Sequence, residues 1–381
     1  MKRRILINAN FYGVGGRETH VVKLCEALIQ TGVEVTVVSR VVTKSSQRII
    51  DSLKAVPVRF LATPFASSST PKLSTVWAMT VWPLQLRRQS YDDLYTFDIS
   101  SFTEFLRQFV SAEGRVILNR AGDLMSAADL PAKNIKLPDL MIVESEMQVA
   151  AVRNLFPAKP EVIALPSLGN YQTPPKRTVS KRKEVLEVAF LGRYDENKGA
   201  FRLLEIWPNL RDKQLRLSFY GHGDRVRLQT AIEAQGLSGQ VTIKQPWTNA
   251  RELAAILELT DFVVLASQTE GLPIVLLESI AHGVPFVATD VGAIRTLAEE
   301  NVDVLVVRND PASISAGIEK MASSIRSGAV QGQRLQQFAF EKYGYDQLAA
   351  VWQQTLLNRH IEQVDLSVGN NPAGAAEIVV P

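Results

Sequence analysis

Twice along this chain a short apolar run ends in a glycine-bearing loop and passes into a helical pattern, and that repeated unit leaves few folds open. Residues Arg4 to Asn10 form the first run and Phe11-Tyr12-Gly13-Val14-Gly15-Gly16 the first loop. Val21, Val22, Leu24, Cys25, Leu28 and Ile29 then recur at helical spacing. Gly32 stops that helix, and the β-branched run Val33 to Ser39 supplies the next strand, so the two strands should pair in parallel around a right-handed crossover. The pattern begins again with a strand at Glu187 to Leu191, a loop at Gly192 to Gly199 and a helix at Ala200 to Leu210. Leu215 to Tyr220, Val241 to Ile243, Asp261 to Ala266, Pro285 to Thr289 and Val302 to Val307 read as further short strands, with helical segments such as Arg225 to Gln235 between them. Strands alternating with helices predict two doubly wound α/β domains with a cleft, and in such sheets ligands sit beyond the carboxyl ends of the strands.

Between the repeats the reading is less regular. Val41 to Ser90 mixes Ser/Thr clusters with four prolines and with Trp77 and Trp82, and predicts loops and short helices; the two tryptophans look exposed, but filling the core is the better reading for at least one. Arg115 to Asn119, Leu140 to Glu144 and Glu161 to Leu165 resume the strands, with a helix at Glu146 to Asn154. Tyr171 to Lys183 carries two prolines, five basic residues and no apolar period, as an interdomain linker would.

With 381 residues, 46% hydrophobic and 21% charged, the composition is that of an ordinary globular chain and excludes disorder or coiled coil throughout. The one cysteine, Cys25, lies in an apolar run and reads as a buried small hydrophobe. Residues 1–180 hold 22 Lys and Arg against 15 Asp and Glu, while the remainder is net acidic. A basic first half suggests an anionic partner, phosphate or a membrane surface, though a solvated basic face fits equally well. No basic run interleaved with aromatics points to nucleic acid. The uncharged run between Lys72 and Arg87 is too short for a span of about 18 or more residues, and Asn8 and Asn10 interrupt any signal-like stretch. A cytoplasmic chain is expected, with peripheral contact at the inner face of a membrane left open.

Three motifs carry chemistry. Gly13-Val14-Gly15-Gly16 lies between the first strand and its helix, where backbone N–H groups can hold an anion. A dinucleotide fingerprint would need a third glycine where Glu18 stands, so a nicotinamide cofactor is disfavoured. Gly192-Arg193 and Lys198-Gly199 put two cations at one strand end, which suits a diphosphate or, taken alone, solvated surface charge. Ser267-Gln268-Thr269-Glu270-Gly271-Leu272-Pro273-Ile274-Val275-Leu276-Leu277-Glu278 follows an apolar strand. With a helix starting near Pro273 as its first residue, Glu270 lies in the loop and Glu278 beyond the first turn. Such carboxylates accept from vicinal hydroxyls; alternatively Glu270 caps and Glu278 is an exposed helix residue.

The Glu270 to Glu278 string, followed by Ser-Ile-Ala-His-Gly-Val-Pro, resembles the signature of the retaining glycosyltransferases of family 4. Gly192-Arg193 with Lys198-Gly199 is similar to that family's phosphate loop, and Gly15-Gly16-Arg17-Glu18-Thr19-His20 to its amino-terminal glycine loop. The resemblance implies a GT-B fold of two Rossmann-like domains: an acceptor-binding domain at 1–172, a linker at 173–184 and a nucleotide-sugar domain at 185–344. A helix at 345–360 would cross back to the first domain, before a tail at 361–381. It implies transfer of a sugar, with retention, from a nucleotide diphosphate sugar to a glycan, lipid-linked or small-molecule acceptor, without metal or other cofactor. Arg193 and Lys198 would then hold the diphosphate and Glu278 the ribose. Glu270 and the backbone of Gly271, Leu272, Pro273 and Ile274 would orient the sugar, and Trp247 would fall near the base. Gly15 and Gly16 would close over the phosphates, with Glu270, Arg193 and Lys198 as the catalytic set. Many family members carry a histidine in mid-domain, where this chain has Asn119-Arg120, and no histidine lies between His20 and His222. Asn119 or Arg120 would take over the sugar contact, or the chain binds a donor without efficient turnover; His20 is a candidate on the acceptor side or, equally, a satisfied helix-start histidine. Where they are not core, Trp77 and Trp82 could stack on sugar rings or touch a membrane.

Overall fold

The computed structural model describes residues 2–358 apart from 14, 65–70, 88–89, 121–135, 159, 170–183, 248 and 300–302. The expected linker, all but Glu184, and the tail lie outside the described residues. The chain divides into two compact units, one reaching Gly169 and taking in the helix from Asp346, the other running between them.

The first unit is built on a seven-stranded sheet. Its strands are β1 (Arg4–Asn8), β2 (Glu34–Ser39), β3 (Arg59–Ala62), β4 (Tyr91–Thr96), β5 (Val110–Asn119), β6 (Leu140–Val143) and β7 (Glu161–Ala164). They run in the order β3-β2-β1-β4-β5-β6-β7, every pair parallel, with Ile5 opposite Val35 and Leu6 opposite Leu94. The order reverses between β1 and β4, a switch point of the kind beside whose carboxyl ends open α/β sheets hold their ligands. Helices α1 (Gly16–Gln30), α2 (Gln47–Ala55), α3 (Pro71–Leu86), α4 (Ser101–Arg107) and α5 (Glu146–Leu155) make the crossovers. Cys25 is buried in α1, as its surroundings predict.

The stretch expected to be loops and short helices holds α2 as such a helix, but also the strand β3 and the sixteen-residue α3, which were not expected. Packing explains α3: Ala78, Trp82 and Leu86 are buried against Leu6, Val38, Leu94 and Phe102. Trp82 fills the core, as expected of at least one of the two tryptophans, and Trp77 packs half-buried and edge-on against it at 6.5 Å between ring centroids. Strand β4 was not expected either, because Tyr91-Asp92-Asp93 opposes strand propensity. Asp93 is only 1% exposed. Arg3 Nη2 at 2.6 Å and Arg115 Nε at 3.0 Å take its two oxygens, and this pairing offsets the cost of burying the charge.

The second unit follows its predicted elements closely. Strands β8 (Leu186–Leu191), β9 (Leu215–Tyr220), β10 (Val241–Ile243), β11 (Phe262–Leu265), β12 (Phe286–Thr289) and β13 (Leu305–Val307) form a parallel sheet in the order β10-β9-β8-β11-β12-β13. Helices α6 (Ala200–Ile206), α7 (Arg225–Ala234), α8 (Ala250–Leu259), α9 (Ile274–Ala281), α10 (Ile294–Glu299), α11 (Pro311–Ser327) and α12 (Gly332–Tyr343) surround it. The central strands β11 and β12 are buried on both faces, as a covered parallel sheet requires, while Arg216 of β9 and Thr242 of β10 are exposed toward the edge. The switch point lies between β8 and β11. Three boundaries differ from expectation: a 3-10 turn at Trp207–Asn209 replaces the end of the first helix, Pro273 is the cap preceding α9 rather than its first residue, and β13 spans Leu305–Val307 where Val302 to Val307 was expected.

The final helix, α13 (Tyr345–Leu357), packs in the first unit. Trp352 Nε1 donates to the Pro166 carbonyl at 2.9 Å, Gln353 Nε2 to the Ala27 carbonyl at 2.7 Å, and Arg115 Nη2 to the Leu356 carbonyl at 2.8 Å.

Candidate functional site

In the second unit the loops after β8 and β11 meet at the switch point. Gly199 ends the first loop at φ 76°, and a Cβ there would lie 2.0 Å from the Ala266 carbonyl oxygen, so only glycine lets the loops approach this closely. Asp195 shapes the loop from within: Oδ1 accepts the Lys198 backbone N–H at 2.8 Å and Oδ2 accepts from Arg193 Nε at 2.7 Å. Asn197 ties the first loop to the second, its carbonyl accepting from Gln268 N at 2.7 Å and its Oδ1 from Thr269 Oγ1 at 2.7 Å.

These contacts deliver Lys198 to Glu270. Its Nζ donates to both carboxylate oxygens at 2.6 Å, and Ser267 Oγ donates to Glu270 Oε1 at 2.7 Å. Glu270 is 8% exposed, so the pair is shielded more than a surface ion pair. Gly292, at φ 59°, packs against the other side of the loop, where a Cβ would come within 2.1 Å of the Glu270 carbonyl. The structure thus gathers Arg193, Lys198 and Glu270 into one chain of contacts through Asp195. Arg193 is the outermost, with 64% of its side chain exposed.

The other sequence-predicted residues of this unit lie at the same edge of the sheet or on α9. Gly271, Leu272 and Pro273 are buried and Ile274 half-buried at the start of α9. Glu278 is 6% exposed, so it is not a solvated helix residue. Trp247, half-buried, sits in the loop leaving β10, whose carboxyl end shares the edge with those of β8 and β11. Pattern reading missed Asp195, Asn197, Ser267 and Thr269. Ser267 and Glu270, three apart as in a capping box, and Asp195 ahead of a glycine were the available signals.

In the first unit Gly15 caps α1 in an extended conformation, and Gly16 opens the helix. The Glu18 carboxylate folds back over this turn. Its Oε1 accepts from Tyr12 N at 3.3 Å, and its Oε2 would lie 2.9 Å from a Cβ on Gly15. An anionic ligand at this helix start would meet an acid already in place.

His20 is fully buried. Leu168 N donates to its Nδ1 at 2.8 Å, which puts the ring proton on Nε2, 2.8 Å from Tyr95 Oη. Trp352 and Phe97 enclose the ring, and burial lowers its pKa to about 3, so it is neutral near pH 7. Asn119 Nδ2 donates to the same tyrosine oxygen at 2.6 Å and is itself buried, while Arg120 is half-buried with its backbone N–H on the Ile142 carbonyl. His20 and Asn119 therefore belong to one internal cage. Among the described residues no group of three or more His, Cys, Asp or Glu stands as a metal site would require, and no helix is long and apolar enough to cross a membrane.

Residues 186–324 match the family model of the group 1 glycosyl transferases. The chain is 29% identical over 178 residues to D-inositol 3-phosphate glycosyltransferase of Paenarthrobacter aurescens, covering 45% of this chain and 43% of that protein. It is 25% identical over 348 residues to the enzyme of the same name from Geodermatophilus obscurus, covering 80% and 77%. Its fold is similar to that of Anabaena HepE in complex with UDP and glucose, with a TM-score of 0.72 at 15% identity over 93% of this chain and 99% of that one. The chain spans less than half the length of the first curated relatives it matches.

Two parallel-sheet units, each with a reversal of strand order at a switch point, give the chain a GT-B fold. Over residues 186–324 its second unit is similar to the group 1 glycosyl transferases, and the curated relatives it matches are glycosyltransferases.

Proposed function

We propose that the chain transfers a sugar from a nucleotide diphosphate sugar to an acceptor hydroxyl, with retention and without a metal ion. The observation that carries this reading is the Lys198–Glu270 pair, held at the switch point with Arg193 joined to it through Asp195. As the bond from the anomeric carbon to the diphosphate oxygen breaks, negative charge grows on the leaving group. Lys198 and Arg193 offset that charge, and fixed cations of this kind act most strongly where water is excluded. The acceptor hydroxyl adds on the face the diphosphate leaves, its proton passing to the departing phosphate oxygen. Glu270 orients the sugar and Glu278 accepts from the ribose hydroxyls. The UDP and glucose held by HepE support a donor of this class. Such a donor suits a cytoplasmic chain, and the acceptor is a glycan, a lipid-linked sugar or a small polyol.

A second reading, donor binding with little turnover, is favoured by His20: it is caged and neutral, and the sequence has no other histidine before His222. Incubation with UDP- and GDP-sugars and the three acceptor types separates the two. Release of nucleoside diphosphate with a product of unchanged anomeric configuration supports transfer. Donor binding without release supports the second reading, and an inverted product contradicts the first.

A further inference from the structure

We propose that α3 docks the protein onto an anionic lipid bilayer. Among the described residues nine large apolar side chains are exposed, and four of them, Leu73, Val76, Met79 and Leu84, lie on this one helix. With about 3.6 residues per turn, Leu73, Val76 and Leu84 fall within about a quarter turn of one another, opposite Ala78 and Trp82, which bury against the sheet with Leu86, and Met79 lies on the flank. Monomeric soluble proteins rarely gather exposed apolar groups this way, and such patches mark protein or membrane contacts. The helix is too short to span a bilayer and its inner face is already committed to the core, so it would lie in the interface plane.

Charge decides the occupant. Between Asp51 and Asp92 the sequence has no Asp or Glu, yet it has Lys54, Arg59, Lys72, Arg87 and Arg88. Lys72 and Arg87, both exposed, stand at the two ends of the apolar sector. Beside the carboxy-terminal end of α3, at the amino-terminal ends of the first strands, opens a cavity of about 370 Å³ lined by Lys2, Arg4 and Arg59 among others. Arg59 joins the two features, because its Nη2 also donates to the Gln85 carbonyl at 3.1 Å. Glu34, which pairs with Arg4, is the acid in the lining. The cavity accepts a lipid phosphate while the helix presents apolar side chains to the acyl boundary. A second copy of the chain on this face would set like charges against each other, which disfavours it. The inference stands apart from the sugar-transfer reading, since it uses none of the residues at the switch points.

The test is co-sedimentation of the full chain with vesicles of pure phosphatidylcholine and with vesicles of equal parts phosphatidylcholine and phosphatidylglycerol. Binding to the anionic vesicles alone, weakened by high salt, is the expected result. The double variant V76E/L84E should bind about ten-fold more weakly or worse, and K72S/R87S should lose most of the preference for anionic lipid. Both alter exposed positions, and an unchanged Tm establishes that they fold. Absence of vesicle binding, or binding that V76E/L84E leaves untouched, overturns the proposal. So does a concentration-dependent dimer in sedimentation velocity that V76E/L84E abolishes, which would assign the face to a second copy.

Discussion

Lys198 Nζ and the Glu270 carboxylate meet at 2.6 Å on both oxygens, although 72 positions separate them in the sequence. The pair joins the loops after β8 and β11 and sets the charge of the candidate site. Lys198→Ala would leave a buried carboxylate with the Ser267 hydroxyl and no cation. Breaking a fully buried pair costs about 3–5 kcal/mol; Lys198 is 21% exposed, so the expected loss is about 1–3 kcal/mol. Adding Glu270→Gln should recover part of it. Urea unfolding of both singles and the double measures the coupling, and additive losses would mean that the pair contributes nothing.

Asp93 holds Arg3 and Arg115, and Arg115 in turn donates to the Leu356 and Asn358 carbonyls at the end of α13. Asp93→Asn keeps the shape but leaves both guanidiniums facing a neutral amide. A loss of about 3 kcal/mol is expected, together with faster amide exchange in α13. Unchanged exchange in that helix would show that the ionic tie to β4 and β5 does not hold it.

His20 makes stability depend on pH. Its folded pKa of about 3 lies below the ordinary value of 6.5, so between those values the unfolded chain binds a proton that the folded chain excludes. Stability from this group is complete above pH 6.5 and falls by about 1.4 kcal/mol for each unit below it, until the pH nears 3. His20→Gln, which can still accept from Leu168 N–H, should flatten that slope. Chemical denaturation at a series of pH values from neutral to mildly acid reads the difference directly.

Gly199→Ala tests the loop packing. The substitution combines a left-handed φ with a Cβ 2.0 Å from a carbonyl oxygen, and backbone must shift to admit it. We expect a loss of about 2 kcal/mol or more. Gly236→Ala, at φ 67° with nothing within 4 Å, should cost only the backbone strain, about 1 kcal/mol. Equal losses in the two variants would mean that the close approach of the loops carries no weight.

What was legible in the sequence follows from what is local. β1, β2 and the strands of the second unit are short runs dominated by apolar and β-branched residues, several with glycine or proline close by, so local pattern identifies them without knowledge of neighbours. The string from Ser267 to Glu278 and the pair Arg193 and Lys198 were legible for the same reason. Strand β4 was not, because Asp93 is tolerated only through Arg3 and Arg115, which come from β5 and the chain start. α3 was hidden by its surroundings: Pro71 and Pro83 and the serines before it suggest loop, whereas Trp82 finds its partners in β1, β2, β4 and α4. Sequence left His20 open between an acceptor-side group and a satisfied histidine, because nothing nearby in the chain announces Tyr95, Asn119, Leu168 and Trp352.

Calorimetric titration of UDP, GDP and ADP into the wild-type chain and into Lys198→Ala addresses the donor clamp most directly. One nucleoside diphosphate should bind the wild type, and Lys198→Ala should weaken it by about ten-fold or more, as expected when a charge-assisted contact to phosphate is lost. Equal affinity in the variant, with its fold intact, or no binding of any of the three to the wild type, would contradict the account.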